Sequence, residues 1–281
     1  MILLGLPHLK AALVGVAFLL CAAGCASPDA IGGSRGRTVA WAQDQGFQAE
    51  DQAAGGFRLL TLTRPTSHRG EVLTVYIEGD GAPWVSPWHP PRDPTPLKPV
   101  ALAMAASDRT GTVVYLGRPC QYQTSDALVA CNPGWWMQQR FAATVVEAYD
   151  EILDRLKTTM GVQRLRLVGY SGGGVIAALL AARRPDVERL FTVAAPLALN
   201  DWTTWHALTP FAQASDPSLQ PGFFPPAVHW VGQDDTVVPP AIVARFIAKK
   251  GGEMVRMPGY DHQCCWARDW AGLVSGAHLA Q

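Results

Sequence analysis

Ser171 lies within a glycine-rich run, GYSGG at residues 169–173, whose residue types are suited to nucleophilic chemistry. An apolar, strand-like stretch at 165–168 precedes this run, and a helix-like stretch at 175–184 follows it. A serine at a sharp turn from strand to helix is typical of a nucleophile elbow, which lifts the hydroxyl clear of the sheet. Small residues are required beside it because strand and helix approach too closely for a Cβ. The pattern therefore predicts hydrolysis with Ser171 as the nucleophile.

A glycine-rich loop that cradles phosphate is the competing interpretation of this run. Such a loop ends in Lys followed by Ser or Thr, and residues 169–176 contain no lysine. A serine hydroxyl is a weak nucleophile at neutral pH, so it needs a nearby base and a carboxylate that orients the base. The hydrolytic interpretation therefore requires both groups elsewhere in the chain.

Strand-like and helix-like segments alternate along the chain, which predicts an α/β fold with a mostly parallel sheet of about eight strands and helices on both faces. The predicted strands are residues 38–47, 57–63, 72–78, 112–116, 165–168, 190–194, 228–232 and 253–257. The predicted helices are 97–106, 135–159, 173–184 and 240–250, with a last one after His262. Two proline- and aromatic-rich segments, 83–99 and 195–226, follow strand ends and are the expected walls of a substrate pocket.

The order of elements and three motifs resemble the α/β-hydrolase superfamily over residues 72–270. The motifs are GYSGG at 169–173, VGQDDTVVP at 231–239 and GYDH at 259–262. YIEGDG at 76–81 and GRPCQY at 117–122 further resemble a branch of secreted or lipid-anchored bacterial serine hydrolases. The superfamily resemblance implies a catalytic triad in the chain order serine, acid, histidine.

That order leaves two histidines after the acid. His278 lies near the chain end, where chains are usually frayed, so His262 is the predicted base. The superfamily spacing of a glycine, two residues, an aspartate and then Val-Pro selects Asp235 as the acid. Asp234 and Asp201 remain alternative acids.

The resemblance also implies an oxyanion hole made of two backbone N–H groups. The residue after the nucleophile, Gly172, is one predicted donor, and Asp80 is the other, with Gly81 as its alternative. Carboxylates beside an oxyanion would repel it. We therefore expect the side chains of Glu78 and Asp80 to point away from the pocket, towards Arg118 or Arg140. A carboxylate pair for acid/base or metal chemistry is the rival interpretation of this segment.

The amino terminus predicts export. An apolar run at 11–20 follows a basic residue and precedes small residues, as in a secretory signal. The sequence AAGC at 22–25 resembles a lipobox, which implies a signal peptide at 1–25, lipidation at Cys25 and a periplasmic protein anchored to the cell envelope. Residues 26–37 are then expected to be a flexible tether, and residues 38–281 a single hydrolase domain. An ordinary signal peptide with an incidental cysteine is the alternative.

The remaining four cysteines form an even set, as expected of an exported protein with disulfides. We favour a pairing of Cys120 with Cys131 and of Cys264 with Cys265. A metal site is disfavoured because no Cys-x-x-Cys motif or histidine cluster accompanies them.

Charge limits the classes of partner. The chain has 23 acidic and 23 basic residues, and only 16% of its residues are charged, so no footprint for nucleic acid is present. The sequence thus predicts a serine hydrolase of the esterase type that cleaves a small-molecule ester or related acyl bond and needs no metal or organic cofactor. A peptidase or lipase with the same triad, and a non-catalytic envelope protein that keeps the fold for binding, are the alternatives.

Overall fold

A computed structural model describes residues 31–66, 70–82, 91–211, 215–222 and 224–279. The predicted signal peptide, Cys25 and residues 26–30 of the predicted tether lie outside these ranges. Of the helices in the described part of the chain, none is long and apolar enough to cross a membrane.

Eight strands form one sheet in the order β1-β2-β4-β3-β5-β6-β7-β8. β2 pairs antiparallel with β1 and β4, and all other neighbours are parallel. The strands are β1 Gln48–Ala54, β2 Phe57–Arg64, β3 Val72–Ile77, β4 Val113–Leu116, β5 Arg164–Tyr170, β6 Val187–Val193, β7 Ala227–Gly232 and β8 Glu253–Met257. The predicted fold class, a mostly parallel sheet of about eight strands, is confirmed.

Helices cover both faces of the sheet, which explains why its central strands are apolar on both sides. The helices are α1 Arg35–Asp44, α2 Val100–Ser107, α3 Ser125–Val129, α4 Ala143–Met160, α5 Gly172–Ala181, α6 Leu199–Trp205, α7 Pro240–Lys250 and α8 Trp266–Leu279. One apolar core packs α4, α5 and α7 against the sheet, and a second packs α1, α2 and α8 against the opposite face. The two cores hold the carboxyl ends of the parallel strands, and therefore the loops that follow them, in place.

The predicted strand at 38–47 is wrong, because α1 occupies most of this segment. The Ser34 side chain caps the helix by accepting the backbone N–H of Arg37, and Thr38 and Ala42, four residues apart, are its buried positions. The first strand is instead β1, which forms a hairpin with β2 through a Gly-Gly turn at residues 55 and 56. β1 was not predicted because it is an edge strand with mostly exposed side chains, so it carries no apolar alternation.

The predicted tether at 26–37 is wrong at its carboxyl end. Ile31 is buried in the core of the α1 face, and α1 begins at Arg35. The Gly32 Cα packs against the backbone of the 96–97 segment so closely that a Cβ there would lie 2.1 Å from the Leu97 carbonyl oxygen. Residues 31–37 therefore belong to the folded domain.

The predicted long helix at 135–159 begins later than expected. Residues 133–136 form a 3₁₀ turn, and α4 starts only at Ala143. Its apolar side chains Val145, Ala148, Ile152 and Leu156 are buried, and the helix ends at Gly161 in a left-handed conformation that glycine adopts without strain. The predicted loop at 195–226 contains the unpredicted short helix α6.

Candidate active site

Ser171 sits in the turn between β5 and α5, at backbone angles of φ 50° and ψ −124° that few non-glycine residues adopt. The flanking glycines are required by close contacts. A Cβ on Gly169 would lie 2.4 Å from the Gly174 Cα, and one on Gly173 would lie 2.2 Å from the carbonyl oxygen of Ile77. The chain therefore forms a nucleophile elbow here, with the Ser171 hydroxyl at the carboxyl edge of the sheet.

The structure brings three of the predicted site residues into one hydrogen-bonded line. The Ser171 Oγ lies 3.1 Å from the His262 Nε2, and the His262 Nδ1 lies 2.9 Å from the Asp235 Oδ2. The side chain of Asp235 is fully buried. This is the geometry in which an imidazole can take a proton from a serine while a carboxylate holds its tautomer.

Asp235 is held by the loop that carries it. Its Oδ1 accepts the backbone N–H groups of Val237 and Val238, each at 2.8 Å, which leaves Oδ2 directed at the imidazole. The alternative acids are placed elsewhere: Asp234 is exposed, and Asp201 forms an ion pair with Arg245. The side chain of His278 lies outside the described part of the chain.

Two aromatic residues fix the backbone of the predicted base. The Tyr170 hydroxyl and the Trp266 indole N–H donate to the His262 carbonyl oxygen at 3.0 and 3.1 Å. On the same loop the Asp261 carboxylate accepts the N–H groups of Gln263 and Cys264, and these bonds lower its pKa. Sequence reasoning missed the roles of Tyr170 and Trp266. Tyr170 lies at the end of β5 and reaches this loop only by folding, whereas Trp266 follows His262 by four residues and belongs to none of the motifs.

The disulfide pairs are those favoured from the sequence. Cys264 is bonded to Cys265 directly after this loop, and Cys120 is bonded to Cys131 with 6.0 Å between their Cα atoms. Within the described ranges no group of three or more His, Cys, Asp and Glu side chains is arranged to hold a metal ion.

The two predicted oxyanion-hole residues are neighbours. Gly172 begins α5, so its N–H has no acceptor within the helix and is free to bind another group. A Cβ on Gly172 would lie 1.9 Å from Oδ1 of Asp80, which places that carboxylate directly beside the helix start. The Asp80 side chain reaches both Arg118 and Arg140, as expected. The alternative donor, Gly81, has a φ of 97° and packs against the Pro94 carbonyl.

Glu78 points into the core, away from Ser171. Its Oε1 accepts hydrogen bonds from the backbone N–H groups of Gly79 and Ala101. Its Oε2 accepts one from the backbone N–H of Leu102 and one from the Tyr115 hydroxyl. Burial raises the pKa of the Glu78 carboxyl to about 7, although these hydrogen bonds oppose the rise. Glu78 thus secures the loop after β3 rather than entering the reaction site.

Two aromatic side chains from the 195–226 segment contact residues next to this site. The Trp202 indole N–H donates to the Val237 carbonyl at 2.7 Å, two residues from Asp235 along the chain. Its ring is stacked parallel to that of Phe211, and the Arg140 guanidinium lies 4.3 Å from the Phe211 ring centre. The segment predicted as a pocket wall therefore contacts both the loop that carries Asp235 and Arg140, an ion-pair partner of Asp80.

Known proteins with a similar sequence or structure share the fold described above. A sequence model of the alpha/beta hydrolase fold matches residues 120–231, a range that includes Ser171 and ends before Asp235 and His262. No curated protein sequence matches the chain. An alpha-beta serine hydrolase homologue from Coxiella burnetii superposes with a TM-score of 0.56 at 17% identity, over 83% of this chain and 97% of that one.

Two further solved structures have the same fold, and the compounds named with them differ: ferulic acid for one and puromycin for the other. Est1E from Butyrivibrio proteoclasticus, with ferulic acid bound, has a TM-score of 0.58 at 13% identity, over 83% of this chain and 99% of that one. A puromycin-hydrolyzing peptidase of Mycobacterium tuberculosis has a TM-score of 0.54 at 14% identity, over 82% of this chain and 39% of that one. At such identities these likenesses concern the fold alone.

The chain has the α/β-hydrolase fold, and the elbow and the family model support the superfamily resemblance stated from the sequence. The resemblance to a secreted or lipid-anchored branch stays a prediction.

Proposed function

We propose that this protein is a serine hydrolase that cleaves a carboxylic ester or related acyl bond through an acyl-serine intermediate. The observation that supports this function most directly is the hydrogen-bonded line from Ser171 through His262 to the buried Asp235 carboxylate. In the first step His262 takes the Ser171 proton as the oxygen attacks the substrate carbonyl, and it then protonates the leaving group. In the second step His262 activates a water molecule that releases the acid and restores the free serine.

The backbone N–H groups of Gly172 and Asp80 are the proposed oxyanion hole. They lie at the start of α5 and in the loop after β3, the two positions from which such donors come in this fold. Donors of this kind stabilise the negative charge that develops on the carbonyl oxygen in the tetrahedral intermediate.

The test of this function is covalent labelling combined with turnover. We expect a fluorophosphonate probe to modify the purified protein at Ser171, and p-nitrophenyl acetate to be hydrolysed. Ser171→Ala should lose both properties, whereas Ser275→Ala, a serine on the exposed face of α8, should keep both. A well-folded wild-type protein that neither reacts with the probe nor hydrolyses any ester would instead be the non-catalytic binding protein.

If the protein is an enzyme, a second experiment identifies its class of substrate. A panel of p-nitrophenyl esters of increasing acyl length, compared with p-nitroanilide amides, separates an esterase from a lipase and from a peptidase. We expect the highest kcat/KM among the esters. Preference for amides would make the protein a peptidase, as the name of the puromycin-hydrolyzing relative says of that protein.

We also propose export and lipid anchoring at Cys25, on the basis of the signal-like and lipobox-like residues 1–25. The full chain expressed in a bacterial host should incorporate radiolabelled palmitate and fractionate with the envelope. Cys25→Ser should abolish the label. Export without the label would support an ordinary signal peptide instead.

A further inference from the structure

A carboxylate lies where the proposed reaction requires positive potential. Asp80 Oδ1 sits beside the start of α5, at the point where a Cβ on Gly172 would be placed. The proposed mechanism develops a negative charge on an oxygen bound by the N–H of Gly172. Like charges separated by a few ångströms repel strongly in a partly buried site, so an uncompensated Asp80 would oppose the reaction.

Two arginines compensate this carboxylate. The Arg118 Nη1 lies 3.1 Å from the Asp80 Oδ1, and the Arg140 Nε lies 2.8 Å from the Asp80 Oδ2. The side chains of Arg118 and Arg140 are only 4% and 13% exposed, whereas that of Asp80 is 34% exposed. The charges of both arginines are therefore almost completely buried, whereas the Asp80 carboxylate, which lies beside Gly172, is partly exposed to solvent.

The arginines are themselves fixed in place. Arg118 donates to the Arg140 carbonyl at 2.7 Å, and Arg140 donates to the Met137 carbonyl at 2.9 Å. The Arg140 guanidinium also packs over the rings of Phe141 and Phe211. A guanidinium with these contacts cannot easily move away from Asp80, so its charge is preorganised rather than recruited during the reaction.

We infer that Arg140, together with Arg118, is a positioning residue that converts the Asp80 loop from a repulsive into an attractive environment for the oxyanion. The cluster of Asp80, Arg118 and Arg140 has a net charge of +1, and both the Asp80 N–H and the start of α5 lie against it. This inference rests on the proposed serine hydrolase function. It adds a charged cluster to a role that backbone N–H groups fill by themselves in the simple oxyanion hole.

The test is a double-mutant cycle with a neutral substrate, p-nitrophenyl acetate. Arg140→Gln in the wild-type background should lower kcat by about tenfold or more and change KM by less than about threefold, because only the transition state carries the charge. The double variant Asp80→Asn and Arg140→Gln, which keeps the net charge of the cluster at +1, should have a kcat within about threefold of the wild type. Arg140→Lys, which keeps the charge, should retain more activity than Arg140→Gln.

A matched control is the half-buried ion pair of Arg166 with Glu188, which joins the amino-terminal halves of β5 and β6 away from Ser171. Arg166→Gln should have the same effect on kcat whether it is made alone or together with Glu188→Gln. A double variant as impaired as Arg140→Gln alone, or a rise in KM with unchanged kcat, would overturn the inference and leave a structural role.

If Arg140→Gln does not fold, Asp80→Asn is the deciding variant, because it raises the net charge of the cluster. A several-fold rise in kcat supports the inference, and any fall in kcat contradicts it.

The labelling experiment separates failure of the inference from failure of the proposed function. Wild-type protein with neither Ser171 labelling nor ester turnover overturns the proposed function and the inference together. Labelling and turnover without the charge dependence overturn the inference alone.

Discussion

The two oxygens of the Asp235 carboxylate have different partners, and this division explains how a single side chain can be both anchored and functional. Oδ1 accepts two backbone N–H groups of its own loop, while Oδ2 is left for His262. The backbone of His262 is positioned in turn through its carbonyl oxygen, which accepts hydrogen bonds from Tyr170 and Trp266. At the scale of single residues, His262 is therefore held both at its backbone and at the Nδ1 of its ring.

Asp235→Asn should lower kcat by about a thousandfold or more, because the amide can no longer hold the correct tautomer of His262 or stabilise the imidazolium. Esterase assays together with thermal unfolding measure the effect and check that the fold is kept. Asp234→Asn is the matched control, since Asp234 is adjacent but exposed, and it should change kcat by less than about threefold. Near-normal turnover in Asp235→Asn would show that another residue is the acid.

The choice between these two aspartates shows how far the sequence reaches at this scale. The position of Ser171 could be predicted from its glycines, because the strain of the elbow is a local requirement. The spacing around residues 231–239 favoured Asp235 only through a family resemblance. Which of two adjacent carboxylates faces His262 depends on a loop 27 residues further along the chain, and no local pattern records that contact.

Two buried ionisable groups, one just after β3 and one within β7, give these elements opposite pH dependence. Glu78 follows β3 and has a pKa raised by burial to about 7, whereas His229 in β7 has a pKa lowered by burial to about 4. His229 bonds Thr192 of the neighbouring strand through Nδ1 at 2.8 Å. Both groups favour their neutral forms in the folded state, but neutrality is reached by protonation in one and by deprotonation in the other.

Glu78→Gln should remove a loss of stability that occurs with rising pH. Because the folded pKa lies above the unfolded value, the Glu78 contribution is fully present below about pH 4.5 and is lost as the pH rises through about 7. The free energy of unfolding of Glu78→Gln relative to wild type should therefore increase by up to about 3 kcal/mol between pH 4.5 and 8. Urea unfolding over this range measures it; a pH-independent difference would mean that the carboxyl is not shifted.

His229→Gln should produce the opposite change. The folded pKa lies below the unfolded value of 6.5, so the His229 contribution is present above that pH and is lost as the pH falls towards 4. Relative to wild type, the variant should gain up to about 3 kcal/mol of unfolding free energy between pH 7 and 4. Urea unfolding of variant and wild type over this range measures the change, and a difference that does not depend on pH would contradict it.

The described part of the molecule combines a sheet covered on both faces with a covalent bridge outside the two cores. Cys120 and Cys131 are 11 residues apart and close a loop that contains α3, a helix with no buried residue. A loop without a core of its own depends on covalent closure for its order. The closed loop begins within the 117–122 motif, which also carries Arg118, a partner of Asp80.

The double variant Cys120→Ser and Cys131→Ser should lower the free energy of unfolding by about 2–3 kcal/mol, because the reduced unfolded chain gains the entropy that a bridge of this loop length removes. Chemical denaturation of the oxidised variant and wild type measures the loss. Reducing agent should then destabilise the wild type but not the variant, provided that the Cys264–Cys265 bridge is replaced in both. Equal stability of variant and wild type would show that the loop is held by its other contacts.

The sequence by itself determined the strands from residue 57 onwards and the elbow at Ser171. These features depend on local apolar runs and on glycines that a strained turn requires, so they are written into short segments. The tertiary structure alone decided that residues 35–44 form a helix and 48–54 an edge strand, that Asp235 rather than Asp234 meets His262, and that Asp80 lies beside Gly172 between two arginines. Each of these depends on which distant surfaces pack together, and packing is a property of the whole chain rather than of any short stretch of it.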